Sequence, residues 1–286
     1  MALSIGNAEA SQDVDLKPCG HQVGGHFSSG KHAATFVDSS GKFYKAFQDD
    51  IRSAREAGIY EAIFNDSEEA DVCKEDMMAF RPFVPKYFGI LVNGDLKMLA
   101  LEDTCKDYKK PCVLDAKMGL TTIYEWADAK YKAKNADKDL VTTQSKLGFR
   151  VTGFKVWQAD KGEYFVADRH YGKELTPQTM PAALAKFGTN GLVSPFDVYC
   201  GSKGAVAQIH ALKKWFETQQ SLLFFAASVL IVYEGAATRA EDVNVAIRFI
   251  DFAHTFPSKG NRDDNVLAGI TRLAELLQRV GEGDTQ

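Results

Sequence analysis

The sequence predicts an α+β fold in two lobes: a small antiparallel lobe over about residues 19–102 and a larger α+β lobe over 103–286, behind a mobile leader at 1–18. Three observations carry this reading. Two strand pairs closed by turn residues, with one helical stretch between them, fill the first hundred residues. A short apolar strand, Pro111 to Gly119, follows with Asp115 and Lys117 near its exit. A second apolar strand, Ala246 to Phe252, carries Asp251 and leads into a final amphipathic helix. The 286 residues, 45% apolar and 11% aromatic, suffice for one large domain or two intimately packed ones.

Met1 to Pro18 is polar with little periodicity, as a leader would be. Ala33 to Val37 and Phe43 to Phe47 flank the turn Ser39-Ser40-Gly41 and read as a hairpin. Lys45 sits in mid-strand, either facing solvent at a sheet edge or turned inward. The helix expected from about Asp49 to Phe64 carries Arg55 and Glu56. A strand lysine followed by a helix glutamate is the order protein kinases use to hold ATP phosphates. Ile90 to Val92 and Lys97 to Glu102 form a second hairpin around Asn93-Gly94-Asp95. Leu101-Glu102-Asp103-Thr104 then reads either as a plain polar strand end or as a hinge, where Glu102 and Thr104 act through backbone groups.

In the strand Pro111 to Gly119, Asp115 and Lys117 are two residues apart and therefore share a face. Such a pair is either an ordinary surface ion pair or a site that holds a hydroxyl and a phosphate oxygen. Thr122 to Asp139 is helical in composition, and Lys130, Lys134 and Lys138 recur every fourth residue on one face, with Lys132 elsewhere. With Asp128, Asp137 and Asp139 interleaved, that face is either solvated or anion-binding. Strands at Phe149 to Trp157 and Glu163 to Asp168 enclose a turn at Asp160-Lys161-Gly162. A helix over Ala205 to Phe216 turns Val206, Ile209, Leu212 and Phe216 inward, and His210 on it reads as structural. Leu222 to Tyr233 suits a buried strand or helix. A carboxylate at the end of a buried strand needs a cation or donors, so Asp251 is either a metal ligand or a cap or ion-pair partner. Val266, Ile270, Leu273, Leu277 and Val280 recur at helical spacing after Asp264.

Composition narrows the functions. A net charge of −4 argues against general nucleic-acid binding, although local basic clusters could hold a polyanion. Five widely spaced cysteines without C-x-x-C suggest neither a disulfide framework nor a zinc site, and fit a reducing compartment. No signal-peptide pattern and no apolar run of about 18 residues is present. The P-loop pattern G-x-x-x-x-G-K-[ST] and the protein-kinase H-R-D-x-x-x-x-N are both missing.

Read as P-x-x-x-D-x-K-x-G, the stretch Pro111 to Gly119 resembles the signature of the inositol polyphosphate kinase family, and Pro111-Cys112-Val113-Leu114-Asp115 with Lys117-Met118-Gly119 looks most like its hexakisphosphate kinase branch. The resemblance runs from about His21 to about Gln278. It takes in His21-Gln22-Val23-Gly24-Gly25-His26, Pro85-Lys86-Tyr87-Phe88-Gly89, Leu147 to Gly153, Arg169 to Lys173 and Ile250-Asp251-Phe252. Ser228 falls in a segment similar to the family's S-S-L-L strand, with Ala227 and Val229 departing from it.

The resemblance implies a two-lobed kinase-like fold, related to protein kinases and ATP-grasp enzymes, with ATP in the cleft and an inositol phosphate-binding helical insert at about 120–146. It implies that Lys45, supported by Glu56, holds ATP phosphates, that Glu102 and Thr104 meet adenine, and that Asp251 binds Mg2+. Asp115 then positions ribose or the acceptor hydroxyl, Lys117 contacts substrate, and Lys130, Lys134 and Lys138 bind its phosphates. The expected reaction is ATP-dependent phosphorylation of soluble inositol polyphosphates, with the hexakisphosphate as favoured acceptor. A trisphosphate kinase, a multikinase and a non-catalytic polyphosphate-binding protein are the alternatives. A monomer in cytoplasm or nucleus, with no nucleic-acid partner and no membrane span, completes the expectation.

Overall fold

The computed structural model describes residues 15–23, 35–47, 50–65 and 72–285. The first sheet holds β1 (Lys17–Pro18), β2 (Thr35–Val37), β3 (Lys42–Ala46), β4 (Tyr87–Asn93) and β5 (Leu96–Glu102) in the antiparallel order β1-β2-β3-β5-β4. Helices α1 (Asp50–Phe64) and α2 (Lys74–Phe80) lie between β3 and β4 in the chain. The β4–β5 hairpin closes at Gly94, whose φ of 59° suits the Asn-Gly turn. Because β3 pairs with both β2 and β5, Lys45 lies opposite Thr35 and Leu99 and not at an edge.

The second sheet is built on β6 (Pro111–Met118), which α3 (Ala129–Val141) and α4 (Gln144–Leu147) separate from β7 (Phe149–Gln158) and β8 (Glu163–Ala167). Four helices follow: α5 (Arg169–Glu174), α6 (Met180–Phe187), α7 (Pro195–Tyr199) and α8 (Ala205–Thr218). The chain then runs through β9 (Leu222–Phe224), β10 (Ser228–Glu234), β11 (Ala246–Ile250), β12 (Thr255–Pro257) and α9 (Asp264–Gly281). The sheet order is β11-β10-β6-β7-β8, antiparallel throughout, with β12 and β9 forming a separate ribbon. Strand β6 is therefore central. Its side chains from Cys112 to Ala116 are all buried, which explains its almost unbroken apolar run.

One apolar core joins the lobes. Tyr60 of α1 lies 5.0 Å from Phe252, and Phe80 of α2 stacks on Trp215 of α8 at 4.0 Å. The five α9 residues expected inward, Val266, Ile270, Leu273, Leu277 and Val280, are all buried, each worth up to about 1.5–3 kcal/mol. Helix α9 crosses the turn before β7 so closely that a Cβ on Gly148, whose φ is 74°, would lie 2.7 Å from the Gly269 Cα. Among the described residues no helix is long and apolar enough to cross a membrane.

Several boundaries differ from the sequence reading. Lys17 and Pro18, assigned to the leader, pair with β2, while residues 1–14, 24–26, 33–34 and 49 of the expected segments lie outside those described. The helix expected from Thr122 begins only at Ala129, because Asp128 caps it by accepting from the Tyr131 amide and Thr122 instead binds Asp139. Arg169 to Glu174, which the sequence reading assigns to no element, is a helix capped by Asp168. The run Leu222 to Tyr233 is divided into two strands by Ala226, whose φ is 57°.

Candidate active site

The chemistry-bearing residues meet in a cleft of about 520 Å³ between the sheets, a size usual for small-molecule sites. On its first wall β3 presents Lys45 inward, because the alternate residues Tyr44 and Ala46 are buried on the other face. Helix α1 runs alongside and brings Glu56 to it, so that Lys45 Nζ donates to Glu56 Oε1 at 2.9 Å and to Asp251 Oδ1 at 2.7 Å. Glu56 also accepts from the Phe252 amide, which fixes the helix against the chain beyond β11. Burial disfavours the charge on Lys45, but Asp251 and then Glu56 outweigh it and raise its pKa. Burial likewise pushes Glu56 up, against the pull of Lys45. For Asp251 burial is overcome by Lys45 and Lys117, which hold the carboxyl below its ordinary value.

Asp251 sits one residue past β11 with φ at 70°, in the left-handed region that aspartate tolerates better than most residues. This conformation breaks the strand. Its side chain is 38% exposed at the cleft surface.

On the facing wall, β6 contributes Asp115 and Lys117 from one face, as their spacing requires. Asp115 is 7% exposed, and burial pushes its pKa up. Its Oδ1 has no hydrogen-bond partner among the described residues; the Ser228 hydroxyl, equally unpartnered, approaches from β10 without meeting hydrogen-bond geometry. An orphaned buried carboxylate oxygen is costly unless a ligand satisfies it. Lys117 Nζ donates to the Ala226 carbonyl at 2.5 Å, and burial pushes this amine down. The left-handed Ala226 thus turns a carbonyl toward the lysine.

A third wall is cationic. Lys134, Asn135, Lys138 and Tyr131 of α3 line the cleft, and Lys130 does not. On a helix Lys130 lies about 80° around and ~12 Å along from Lys138, so the every-fourth-residue rule carries it away from the opening. Burial and then the Arg150 charge push Lys138 down to about 8. Arg150, on β7 opposite Lys117, donates to Gln144 Oε1 at 3.0 Å and lies 3.5 Å from Asp139. Asp139 itself is fixed by the Thr122 amide at 2.6 Å. Arg150, Arg52 and His254 line the cleft but were not singled out as site residues from the sequence. The alternation along Phe149-Arg150-Val151 was the signal for Arg150, since it aligns that residue with the face of Lys117.

The remaining wall is the chain leaving β5. Glu102 and Thr104 both line the cleft. The Glu102 amide donates to the Lys86 carbonyl at 2.9 Å and its carboxylate accepts from the Lys86 amide at 3.2 Å, so that residue's N–H is already engaged within the fold.

Residues 98–278 match the family model of inositol polyphosphate kinases. The chain is similar to inositol polyphosphate multikinase beta of Arabidopsis thaliana, 31% identical across 94% of this chain and 96% of that protein. Inositol hexakisphosphate kinase 3 of Mus musculus is 29% identical but over only 66% of this chain and 52% of its own length. A solved inositol phosphate multikinase superimposes with a TM-score of 0.66 at 28% identity, covering 77% of this chain and 97% of that one. The Saccharomyces cerevisiae inositol phosphate multikinase, solved with ADP and Mn2+, has the same fold with a TM-score of 0.66 at 22% identity over 79% of this chain and 95% of that one.

Proposed function

Because the chain belongs to the inositol polyphosphate kinase family, we propose that it is a multikinase-type enzyme that transfers the γ-phosphoryl of ATP to hydroxyls of soluble inositol polyphosphates. One observation carries this reading: Lys45, Glu56 and Asp251 share a single cleft with Asp115, Lys117 and the cationic wall of Lys134, Lys138 and Arg150. The hexakisphosphate preference expected from Pro111 to Gly119 has less support, since multikinases match nearly the whole chain and the hexakisphosphate kinase about two thirds of it.

The donor set fits ATP with magnesium. Asp251 offers a hard carboxylate oxygen held ionised by two lysines, and Asp115, which also lines the cleft, a second oxygen without a hydrogen-bond partner among the described residues. The ion, once bound, neutralises charge on the phosphates. Lys45 turns from Asp251 toward the nucleotide phosphates while Glu56 keeps its side chain in place. Asp115 orients a hydroxyl, and Lys117, its pKa lowered by burial, stabilises charge on the transferring group. Lys134, Lys138 and Arg150 hold the acceptor phosphates, with Gln144 and Asp139 fixing the Arg150 fork. Glu102 and Thr104 serve the adenine end.

The test is incubation of purified protein with ATP, Mg2+ and inositol tris-, tetrakis-, pentakis- and hexakisphosphates, with products resolved by charge. Consumption of tris- and tetrakisphosphates supports the proposal. Turnover of the hexakisphosphate alone would restore the other branch, and binding without any turnover would make the chain a polyphosphate-binding protein.

A further inference from the structure

Cys19, His21, Asp103 and Cys105 converge at the end of the cleft where β5 leaves the first sheet. The His21 Nε2 lies 3.0 Å from Asp103 Oδ1, and the donor atoms of His21, Asp103 and Cys105 all fall within 4.8 Å of one another. The His21 ring is also within hydrogen-bonding reach of the Cys105 and Cys19 thiols, and both cysteines are free. Asp103 is oriented by the Cys105 amide, which donates to its Oδ1 at 2.9 Å. Cys105 is buried, at 4% exposure.

The surroundings hold this constellation rigidly. The Cys19 amide donates to the Thr35 carbonyl at 3.0 Å, which continues the pairing of β1 with β2. Two residues past His21, the Val23 carbonyl packs on β7 so closely that a Cβ on Gly153 would lie 2.3 Å away. Lys155, 9% exposed on the same strand, donates to the Gly20 carbonyl at 3.3 Å and forms no salt bridge among the described residues. Burial pushes its ammonium down, and the Tyr164 ring, 4.6 Å from the Nζ, is a neighbour that favours its charge.

We propose that Cys19, His21, Asp103 and Cys105 bind one zinc ion. Two sulfurs, one imidazole and one carboxylate form a four-donor set suited to Zn2+ and unsuited to Mg2+. Tetrahedral zinc with bonds near 2.0–2.3 Å places its donors about 3.6 Å apart, so the spread of up to 4.8 Å among His21, Asp103 and Cys105 has to shrink by about 1 Å, and Cys19, outside that group of three, has to close in further as the fourth donor. Binding displaces one proton from each thiol and the proton that pairing with Asp103 holds on the His21 imidazole. Two thiolates, one carboxylate and Zn2+ then sum to a single negative charge, and Lys155 supplies the positive charge that balances it. The ion ties the segment 19–23, which touches both sheets, to the first residues after the hinge. The cysteine spacing concealed this, because the fold and not the sequence brings positions 19 and 105 together.

The experiment uses the full chain, titrated with Zn2+ against a competing chromogenic chelator and separately with Co2+ followed by absorption. The expected result is one equivalent of zinc, and a cobalt spectrum with tetrahedral ligand-field bands and a thiolate-to-metal charge-transfer band. Cys105→Ser and His21→Gln should each weaken zinc binding at least about 100-fold, and Cys73→Ser should leave it unchanged. Should Cys105→Ser fail to fold, the partly exposed Cys19→Ser and the wild-type cobalt spectrum decide. A cation caught at Asp251 and Asp115 has oxygen donors only and gives no charge-transfer band. Lack of stoichiometric zinc, a cobalt spectrum without that band, or zinc binding by the Cys19 and Cys105 variants as tight as that of the unmodified chain overturns the assignment.

Discussion

Raising the pH through about 8 should weaken acceptor binding without affecting ATP, because Lys138 then loses its proton. Burial and the neighbouring Arg150 charge favour its neutral form in the free protein and bring it down to about 8. A bound polyphosphate favours the charged form, so above about pH 8 forming the acceptor complex takes up a proton. The sign follows: affinity is full below about 8 and falls above it. When only the charged form binds, the Michaelis constant for the acceptor scales as one plus the ratio of neutral to charged Lys138. That factor is about 1.1 at pH 7 and about 11 at pH 9, a tenfold rise. Phosphate groups with second ionisations near 6 are already fully charged over most of this range. The assay is acceptor and ATP Michaelis constants from about pH 6.5 to 9.5 at constant ionic strength. Lys138→Arg keeps its charge throughout and should flatten the profile at the low value; Lys138→Gln should flatten it at the high one. A flat wild-type profile refutes the argument, and a slope that survives in Lys138→Arg refutes it by transferring the titration to another group such as Lys117, which burial also lowers.

Three further outcomes are expected. Asp251→Asn should still fold, at a lower melting temperature because the buried Lys45 loses its leading charge partner, and lose about 10³-fold or more in kcat; near-normal turnover would remove it from the metal site. Lys134→Ala should raise the acceptor Michaelis constant about fivefold while Lys130→Ala stays within about twofold; the two constants measured side by side check the helix phase. Gly148→Ala should cost about 2–4 kcal/mol, seen by denaturant unfolding, because the left-handed backbone and the Gly269 Cα at 2.7 Å both oppose a methyl group.

The strands and the final helix could be read from the sequence because their patterns are local. Turn residues such as Asn93-Gly94 and the spacing Val266, Ile270, Leu273, Leu277 need no distant partner to be recognised. The meeting of Lys45, Glu56 and Asp251 was reached through family resemblance, since nothing local relates positions 45 and 251. Lys130 lies outside the cleft lining for a geometric reason. A four-residue repeat drifts around a 3.6-residue helix, and the phase of α3 is set by Asn135 and Asp139 packing inward. Arg150 depends on strand register, and the pairing of Cys19 with Cys105 on the path of a segment across both sheets.

The left-handed backbone at Asp251 also limits what could replace it in the chain's descendants. Most side chains at a φ of 70° lose about 1–2 kcal/mol before any chemistry is considered, whereas Asn and Gly are spared most of that strain. A lineage that abandoned catalysis but retained the shape would therefore drift toward Asn or Gly at position 251. Ala or Glu there would record loss of the fold's local support as well as of the carboxylate. The residue at this one position thus distinguishes a retired enzyme that still binds its ligands from a chain under no constraint at all.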